Sequence, residues 1–355
     1  MTPLPAAFAV PGALDTPTGG YAYARAILAR FAAHGIAATL VRLPDGFPNP
    51  SEPDLVETAR LLADVPAEAA LLVDGLAYGA IPAATIDALA RPIVALCHHP
   101  LGLEAGLSPV RAAALVASER AALARAVRVV VTSPATAATL VRDFAVPEDR
   151  LVVAEPGTAP APRASGSPEG APPALLAVGA ISPRKGYDVL IAALARLADR
   201  DWTLTVVGPT DRDPATVAAL RAQAGEAGLA DRVRFTGSVD DAARDALYAG
   251  ADVFVSASLY EGYGMVLAEA LARGLPLVAS TGGAAADTVP DAAALKVPPG
   301  DVDALAAALV RVLDDTALRA RLAEASYAAG RLLPTWDDAS ARIAATLRAS
   351  LEATR

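Results

Sequence analysis

Several features are scarce in this chain of 355 residues, and each scarcity excludes something. The only cysteine is Cys97, so no disulfide can form within the chain, and a cytoplasmic location is the expectation. No apolar run reaches the roughly 18 residues that a membrane-spanning helix needs. The N-terminus lacks a basic region followed by a long apolar stretch. We therefore expect neither a spanning segment nor a signal peptide.

Basic residues are also in the minority: 30 lysines and arginines against 39 aspartates and glutamates give a formal net charge of -9. Binding to a phosphate backbone needs a basic surface, so nucleic acid is not expected as the main partner. A broadly cationic membrane-binding face is likewise not expected, and membrane contact is at most peripheral. Nearly all basic residues are arginines, and the only lysines are Lys185 and Lys296. A lysine kept at position 185 in such a composition hints at a function there.

What the chain does contain is a regular alternation of short apolar runs and helical patterns. This alternation is typical of βαβ units and a parallel sheet, and the length fits two domains, so we predict an α/β fold with two Rossmann-like domains. The stretch 158–173, rich in proline, glycine and serine, breaks the rhythm and is predicted to be a linker. The predicted boundaries are 1–157 for an acceptor-side domain, 174–333 for a donor-binding domain, and 334–355 for a C-terminal helix.

The strongest motif is SLYEGYGMVLAEALARGLPLVAS, residues 258–280. It follows a predicted strand, opens with a loop containing Gly262 and Gly264, and continues as a helix with two glutamates eight residues apart. Glu261 lies in the loop and Glu269 in the helix, so neither is expected to be a merely solvated carboxylate. The N–H groups at the helix start, predicted from Tyr263 to Val266 and including Met265, are suited to hold phosphate oxygens.

This string resembles the glutamate–seven residues–glutamate signature of retaining glycosyltransferase family 4 (glycosyl transferase group 1). Three further segments resemble the family: VGAISPRKGYDVLIAALARL as its phosphate-binding segment, RVRFTGSV as its base-binding segment, and residues 127–157 as the run to its interdomain hinge. The resemblance implies the GT-B architecture, in which two Rossmann-like domains face a cleft and the C-terminal helix packs back on the first domain. It also implies transfer of a sugar from a nucleotide donor, a UDP- or GDP-sugar, to a hydroxyl of an unknown glycan, lipid or small molecule, with no separate cofactor.

The same resemblance implies roles for individual residues. Glu261 would bind hydroxyls of the donor sugar and Glu269 the ribose, while Arg184 and Lys185 would neutralise the diphosphate leaving group. Cations and helix N–H groups placed in advance stabilise the negative charge that a departing diphosphate develops. The chain departs from the family at Ala180, where many members carry an arginine.

The first domain offers three more candidates at predicted strand ends. Gly19 and Gly20 stand between a strand and a helix, where a glycine pair allows a tight turn and close approach of a donor. His98 and His99 end a strand, where open α/β sheets bind ligands, and alternation leaves open which of them faces the donor sugar. Tyr21, at the start of the next helix, is predicted to contact the acceptor; packing against the neighbouring loop alone is the alternative.

Two groups of acidic residues resemble metal-binding motifs in sequence but have a simpler explanation. Asp211 and Asp213 form an Asp-x-Asp pair, but Pro214 follows directly, so Asp213 is interpreted as a helix cap. Asp301 is interpreted in the same way, and we predict no obligatory metal. A nucleotide-sugar epimerase, a glycosyl phosphorylase and a noncatalytic nucleotide-sugar-binding protein remain alternatives. A phosphorylase needs a pyridoxal-type lysine, for which neither lysine has an obvious place, and a noncatalytic protein is expected to lose residues such as Glu261.

Overall fold

The computed structural model describes residues 2–352 and divides into two compact units. The first unit runs to Gly157 and includes the residues from Pro334 onward, and the second unit is Thr158–Leu333. Of the predicted C-terminal segment, residues 353–355 lie outside the described residues.

The first unit is built on a parallel sheet of six strands in the order β2-β1-β3-β4-β5-β6. Its strand order reverses between β1 and β3, which is the place where ligands bind in such sheets. The strands are β1 (Leu4–Pro11), β2 (Ile36–Leu43), β3 (Ala70–Asp74), β4 (Ile93–Cys97), β5 (Arg128–Val131) and β6 (Leu151–Val153). The helices are α1 (Gly19–Phe31), α2 (Glu52–Ala63), α3 (Gly75–Tyr78), α4 (Ala83–Ala88), α5 (Pro109–Leu123), α6 (Pro134–Phe144) and α14 (Trp336–Glu352).

Alternate residues of these strands enter two separate cores, one on each face of the sheet. Leu71 and Val73 of β3 pack on one face, and Ala70 and Leu72 pack on the other. The second face is covered by α1 together with α14, whose Ile343 is completely buried. The prediction that the C-terminal helix packs back on the first unit is therefore confirmed.

The second unit repeats the plan with a parallel sheet in the order β12-β11-β10-β7-β8-β9. Its strand order reverses between β10 and β7. The strands are β7 (Ala174–Val178), β8 (Thr203–Val207), β9 (Val233–Phe235), β10 (Val253–Ser256), β11 (Leu277–Ser280) and β12 (Ala294–Val297). The helices are α7 (Tyr187–Ala195), α8 (Pro214–Glu226), α9 (Asp241–Ala249), α10 (Met265–Ala272), α11 (Ala285–Thr288), α12 (Val302–Asp314) and α13 (Thr316–Gly330). The prediction of two Rossmann-like α/β domains is thus confirmed.

Short polar side chains start most of the longer helices, because their oxygens accept otherwise unpaired N–H groups of the first turn. These N-cap residues are Thr18, Ser51, Ser108, Ser133, Asp213, Asp240, Asp301 and Asp315. The predictions that Asp213 and Asp301 are helix caps are confirmed.

The segment 158–173, predicted as a linker, lies along the second unit. The N–H of Ala164 donates to the carbonyl of Arg273 over 2.9 Å, and the N–H of Ser165 donates to that of Ala249 over 2.8 Å. Arg163 forms an ion pair with Glu324 at 2.5 Å. Composition predicted the lack of helix and strand here, but these contacts bind the segment to one unit. No helix within residues 2–352 has both the length and the apolar character needed to cross a membrane.

Candidate functional site

Charged side chains meet at the carboxyl ends of β7 and β10, where the strand order of the second unit reverses. Lys185 follows β7, and its Nζ lies 2.6 Å from Oε1 of Glu261, which follows β10. Nη1 of Arg184 lies 3.5 Å from the other carboxylate oxygen and donates to the carbonyl of Tyr260 over 2.7 Å. The structure therefore brings together three of the predicted residues across 76 positions of sequence.

The position of Lys185 depends on a tight turn after β7. A short 3-10 helix covers Pro183–Lys185, and Gly186 then adopts a left-handed conformation with φ of 61°. A β-carbon at Gly186 would lie 2.2 Å from the carbonyl oxygen of Ala257, so only glycine fits this backbone. The N–H of Leu259 donates to the carbonyl of Arg184 over 2.7 Å and fastens this turn to the segment that carries Glu261.

The backbone of Glu261 is held from its other side by the loop after β11. Its N–H donates to the carbonyl of Gly282 over 3.1 Å, and its carbonyl accepts from Ala284 over 2.8 Å. A β-carbon at Gly283 would lie 2.4 Å from the Glu261 carbonyl, so this close approach also requires glycine. Glu261 is thus fixed by two loops, which preorganises its carboxylate.

Glu261 is buried and ionised. Burial alone would raise the pKa of its carboxyl group, but the charges of Lys185 and Arg184, together with hydrogen bonds from Lys185 and Ser258, hold that pKa below its usual value. Two cationic side chains, Lys185 and Arg184, thus lie against one buried carboxylate. Such a cluster is suited to receive an anion of the substrate.

Helix α10 begins two residues after the predicted start. Gly264 has φ of 93° and is the N-cap, so the helix proper starts at Met265. The carbonyl of Gly264 accepts the N–H groups of Leu267 and Ala268, while Tyr263 precedes the helix and its carbonyl accepts from the Thr288 hydroxyl over 2.6 Å. The helix N-terminus next to Glu261 is therefore formed by Met265 and Val266, with Gly262 and Tyr263 in the loop before it.

Glu269 is half-buried in α10, and its carboxylate binds a tyrosine that the sequence reasoning did not single out. The hydroxyl of Tyr248, on α9, donates to Oε2 of Glu269 over 2.9 Å. Tyr248 lies in an ordinary amphipathic pattern, DDAARDALYAGA, so no local signal points to it.

In the first unit, Gly19 and Gly20 are not the turn that the sequence suggested. Both belong to the first turn of α1, because the cap is one residue earlier, at Thr18, whose side chain accepts the N–H of Tyr21. Gly20 faces the ring of His98, because a β-carbon there would lie 3.4 Å from Cδ2 of His98, in ordinary van der Waals contact. The prediction of a turn is wrong because the Thr18 cap starts the helix before the glycines.

The two histidines after β4 have different acidic neighbours. Nε2 of His98 lies 3.3 Å from Oδ2 of Asp74, a buried residue at the end of the adjacent strand β3. Nε2 of His99 lies 3.7 Å from Oε2 of the half-exposed Glu104. Asp74 was missed by sequence reasoning, although its place at a strand end was a usable signal.

The phenol of Tyr21 already has an internal partner. Its hydroxyl donates to the carbonyl of Pro11 at the end of β1 over 2.6 Å. The contact between Tyr21 and an acceptor stays a prediction. Because the hydroxyl already donates to Pro11, that contact would be made by the face or edge of the ring. The neighbouring apolar stripe of α1, formed by Tyr23, Ile27 and Phe31, is buried.

The comparisons with known proteins agree with this geometry. Residues 161–329 match the family model described as glycosyl transferases group 1. Over 142 residues the chain is 43% identical to the phosphatidyl-myo-inositol mannosyltransferase of Mycolicibacterium smegmatis, covering 39% of this chain and 35% of that protein. Over 287 residues it is 30% identical to the MMP alpha-(1->4)-mannosyltransferase of Mycolicibacterium hassiacum, covering 76% of this chain and 67% of that protein.

Among solved structures, the Anabaena protein HepE in complex with UDP-glucose superposes with a TM-score of 0.76. The match covers 97% of this chain and 99% of that one at 21% identity, so it shows the fold alone. Together with the two doubly wound sheets, this defines a protein of the GT-B fold. The chain belongs to the glycosyl transferases group 1 family, although it matches only about a third of the length of the first relative.

Proposed function

We propose that the protein is a retaining glycosyltransferase that moves a hexose from a nucleotide diphosphate sugar to a hydroxyl of an acceptor. The observation that carries the proposal is the buried Glu261 held between Lys185 and Arg184 next to the start of α10. Two cations and a helix N-terminus form a site for a diphosphate, and a fixed carboxylate beside them binds sugar hydroxyls.

The proposed roles follow from the chemistry of each group. Lys185 has three N–H donors, so it can keep Glu261 and still bind the diphosphate together with Arg184 and the N–H groups of Met265 and Val266. These groups stabilise the charge that develops on the leaving diphosphate. Glu269, at the same end of the sheet, is assigned to the ribose hydroxyls.

The first unit is assigned to the acceptor and to part of the donor sugar. Of the two histidines we assign His98 to the sugar, because it packs on Gly20 and lies against the buried Asp74. Tyr21 is assigned to the acceptor through its ring. The two relatives described above are named mannosyltransferases, which favours a mannose donor. A cytoplasmic location stays a prediction from the cysteine content.

The donor can be identified without knowledge of the acceptor. A panel of UDP- and GDP-sugars is screened for thermal stabilisation, since a ligand that binds only the folded state raises its melting temperature. The donor that binds is then incubated with the enzyme, and slow transfer to water is followed by NMR. A retaining transferase releases nucleotide diphosphate and a sugar that first has the anomeric configuration of the donor.

Other outcomes of the same experiment would contradict the proposal. An epimerase changes the sugar while it stays attached to the nucleotide. A noncatalytic binding protein is stabilised by the donor, but releases no nucleotide diphosphate with water or with any acceptor. Release of the opposite anomer would leave a transferase but exclude retention.

We expect full activity in the presence of excess EDTA. Asp213, the acidic residue that most resembles a metal ligand in sequence, is used as a helix cap: its carboxylate accepts from the N–H of Thr216 over 3.0 Å and from the hydroxyl of Thr216 over 2.6 Å. Lys185 and Arg184 are proposed to supply the positive charge that a metal supplies elsewhere. Initial rates are measured before and after chelation, with Mg²⁺ or Mn²⁺ added back. Activity that disappears with EDTA and returns with either ion would refute metal independence.

A further inference from the structure

A buried tyrosine hydroxyl lies against the carboxylate that we assign to the ribose. Tyr248 on α9 is completely buried, and its hydroxyl lies 2.9 Å from Oε2 of Glu269 and 3.3 Å from the carbonyl oxygen of Val266. The shorter contact, to the carboxylate oxygen, is the stronger of the two hydrogen bonds. One oxygen of Glu269 is therefore occupied from inside the protein.

The tyrosine has little freedom to move. Its ring stacks on that of Phe254, with centroids 5.8 Å apart and planes inclined by 9°. The guanidinium of Arg273 covers the ring at 4.5 Å from its centroid and also donates to the carbonyl of Glu269 over 3.1 Å. The hydroxyl is thus held at a fixed place relative to the carboxylate.

The hydroxyl also remains a donor. Burial, and next the negative charge of Glu269, raise the pKa of Tyr248 well above its usual value. In this contact the tyrosine hydroxyl is therefore the donor and Oε2 of Glu269 is the acceptor.

We propose that Tyr248 is a positioning residue for nucleotide binding, which presents the second oxygen of Glu269 to the ribose hydroxyls of the donor. Within residues 2–352, Oε1 of Glu269 makes no hydrogen bond. The terminal torsion of a glutamate is broad, so a carboxylate without such an anchor samples many orientations. Holding Oε2 removes this freedom before the nucleotide arrives, and preorganisation of this kind increases affinity. The inference rests on the proposed function, because it assumes that Glu269 binds the ribose.

The test compares nucleotides with and without ribose hydroxyls. Binding of UDP, GDP and their 2′,3′-dideoxy forms is measured by calorimetry on the wild type and on Tyr248→Phe, which keeps the buried ring. For the base that binds, we expect the wild type to prefer the complete ribose by about tenfold to a hundredfold, as hydrogen bonds to a charged group do. In Tyr248→Phe this preference falls by about fivefold or more, while affinity for the dideoxy form changes little.

A matched control separates this effect from loss of stability. Tyr23 in the first unit is equally buried, and its hydroxyl donates to the carbonyl of Ala154 over 2.8 Å. Tyr23→Phe therefore also loses a buried tyrosine hydrogen bond, but it should keep the full ribose preference. In a Glu269→Ala background, where the preference is already lost, Tyr248→Phe should produce no further loss of it.

The outcomes distinguish the two proposals. A wild type that binds a nucleotide diphosphate with no preference for the ribose hydroxyls refutes the role of Glu269, and the role of Tyr248 with it. A wild type with the preference and a Tyr248→Phe variant that retains it refute only the role of Tyr248. If Tyr248→Phe and Tyr23→Phe lose the ribose preference equally, the loss reflects reduced stability of the protein, and the positioning role of Tyr248 is refuted.

Discussion

Replacing Lys185 by alanine is expected to reduce sugar transfer by about a hundredfold to a thousandfold, as loss of a preorganised donor at a developing charge does. Lys185 is the closer of the two cations to Glu261, at 2.6 Å against 3.5 Å for Arg184. Its removal takes away a contact to the leaving diphosphate and leaves the carboxylate weakly paired. The rate of nucleotide diphosphate release with saturating donor is the measurement.

The chain offers a matched control in its only other lysine. Lys296 on β12 donates to the carbonyl of Ala286 over 2.7 Å and pairs with Asp291 at 2.5 Å, and no role in the site is assigned to it. Lys296→Ala also removes one lysine charge, but at a place to which no role in transfer is assigned, so the rate should stay within about twofold. Equal rates in Lys185→Ala and the wild type would refute the role of Lys185 in transfer.

Loss of folding can be separated from loss of chemistry by a second substitution. Removing one partner of a buried ion pair costs about 3–5 kcal/mol, because the other charge stays buried without compensation. In Lys185→Ala/Glu261→Gln that charge is gone, so we expect part of the stability to return while transfer remains lost. Recovery of transfer in the double variant would mean that the single variant was merely unfolded.

The contact between Lys185 and Glu261 could be predicted only in part from the sequence. Both residues follow strand patterns, so the sequence places each at a carboxyl end of a parallel sheet. Nothing in the local pattern says that β7 and β10 are neighbours, since β8 and β9 lie between them in sequence. The resemblance to a known family assigns both residues to the donor, and the observed strand order places β7 beside β10.

The contacts that sequence reasoning missed share a physical cause. Tyr248 and Asp74 contact residues more than twenty positions away, on another helix and at the end of the adjacent strand respectively. Periodicity marks a residue as buried but does not identify the group that its polar atom meets. The contacts of segment 158–173 were missed for the same reason, because composition predicts irregular backbone but not the carbonyl groups of the second unit that accept its N–H groups.

A second large effect is expected at Glu119, a buried carboxyl group on α5. Its Oε2 accepts the N–H of Leu101 over 2.8 Å, and the N–H of Gly102 and the thiol of Cys97 also face it. These contacts fasten the turn that follows His98 and His99. Burial raises the pKa of Glu119 to about 8, against the opposing effect of those hydrogen bonds.

The raised pKa fixes the direction of a pH effect on stability. Between the unfolded pKa of about 4.5 and the folded pKa of about 8, the folded state holds a proton that the unfolded state has released. The free energy of unfolding therefore falls as pH rises through this window, by at most about 1.4 kcal/mol per unit. Between pH 5.5 and pH 8, the titration of Glu119 alone should lower the free energy of unfolding of the wild type by about 3 kcal/mol.

Glu119→Gln removes the titration and Glu119→Ala removes the contacts. We expect the glutamine variant to have similar stability to the wild type at pH 5.5 and to be the more stable of the two at pH 8 and above. The alanine variant should be less stable by about 2–4 kcal/mol at pH 5.5, since it leaves a cavity and unpaired N–H groups.

The pH dependence of stability can be measured for the first unit alone. Of the two tryptophans, Trp336 belongs to the first unit and Trp202 to the second. In a Trp202→Phe background, urea unfolding is followed by the fluorescence of Trp336 at a series of pH values. All other titrating groups are common to the glutamate and glutamine forms, so their contributions cancel in the difference between the two. A difference that stays constant from pH 5.5 to pH 9 would show that Glu119 is ionised in the folded protein, and the buried carboxyl group would then fasten its turn as an anion.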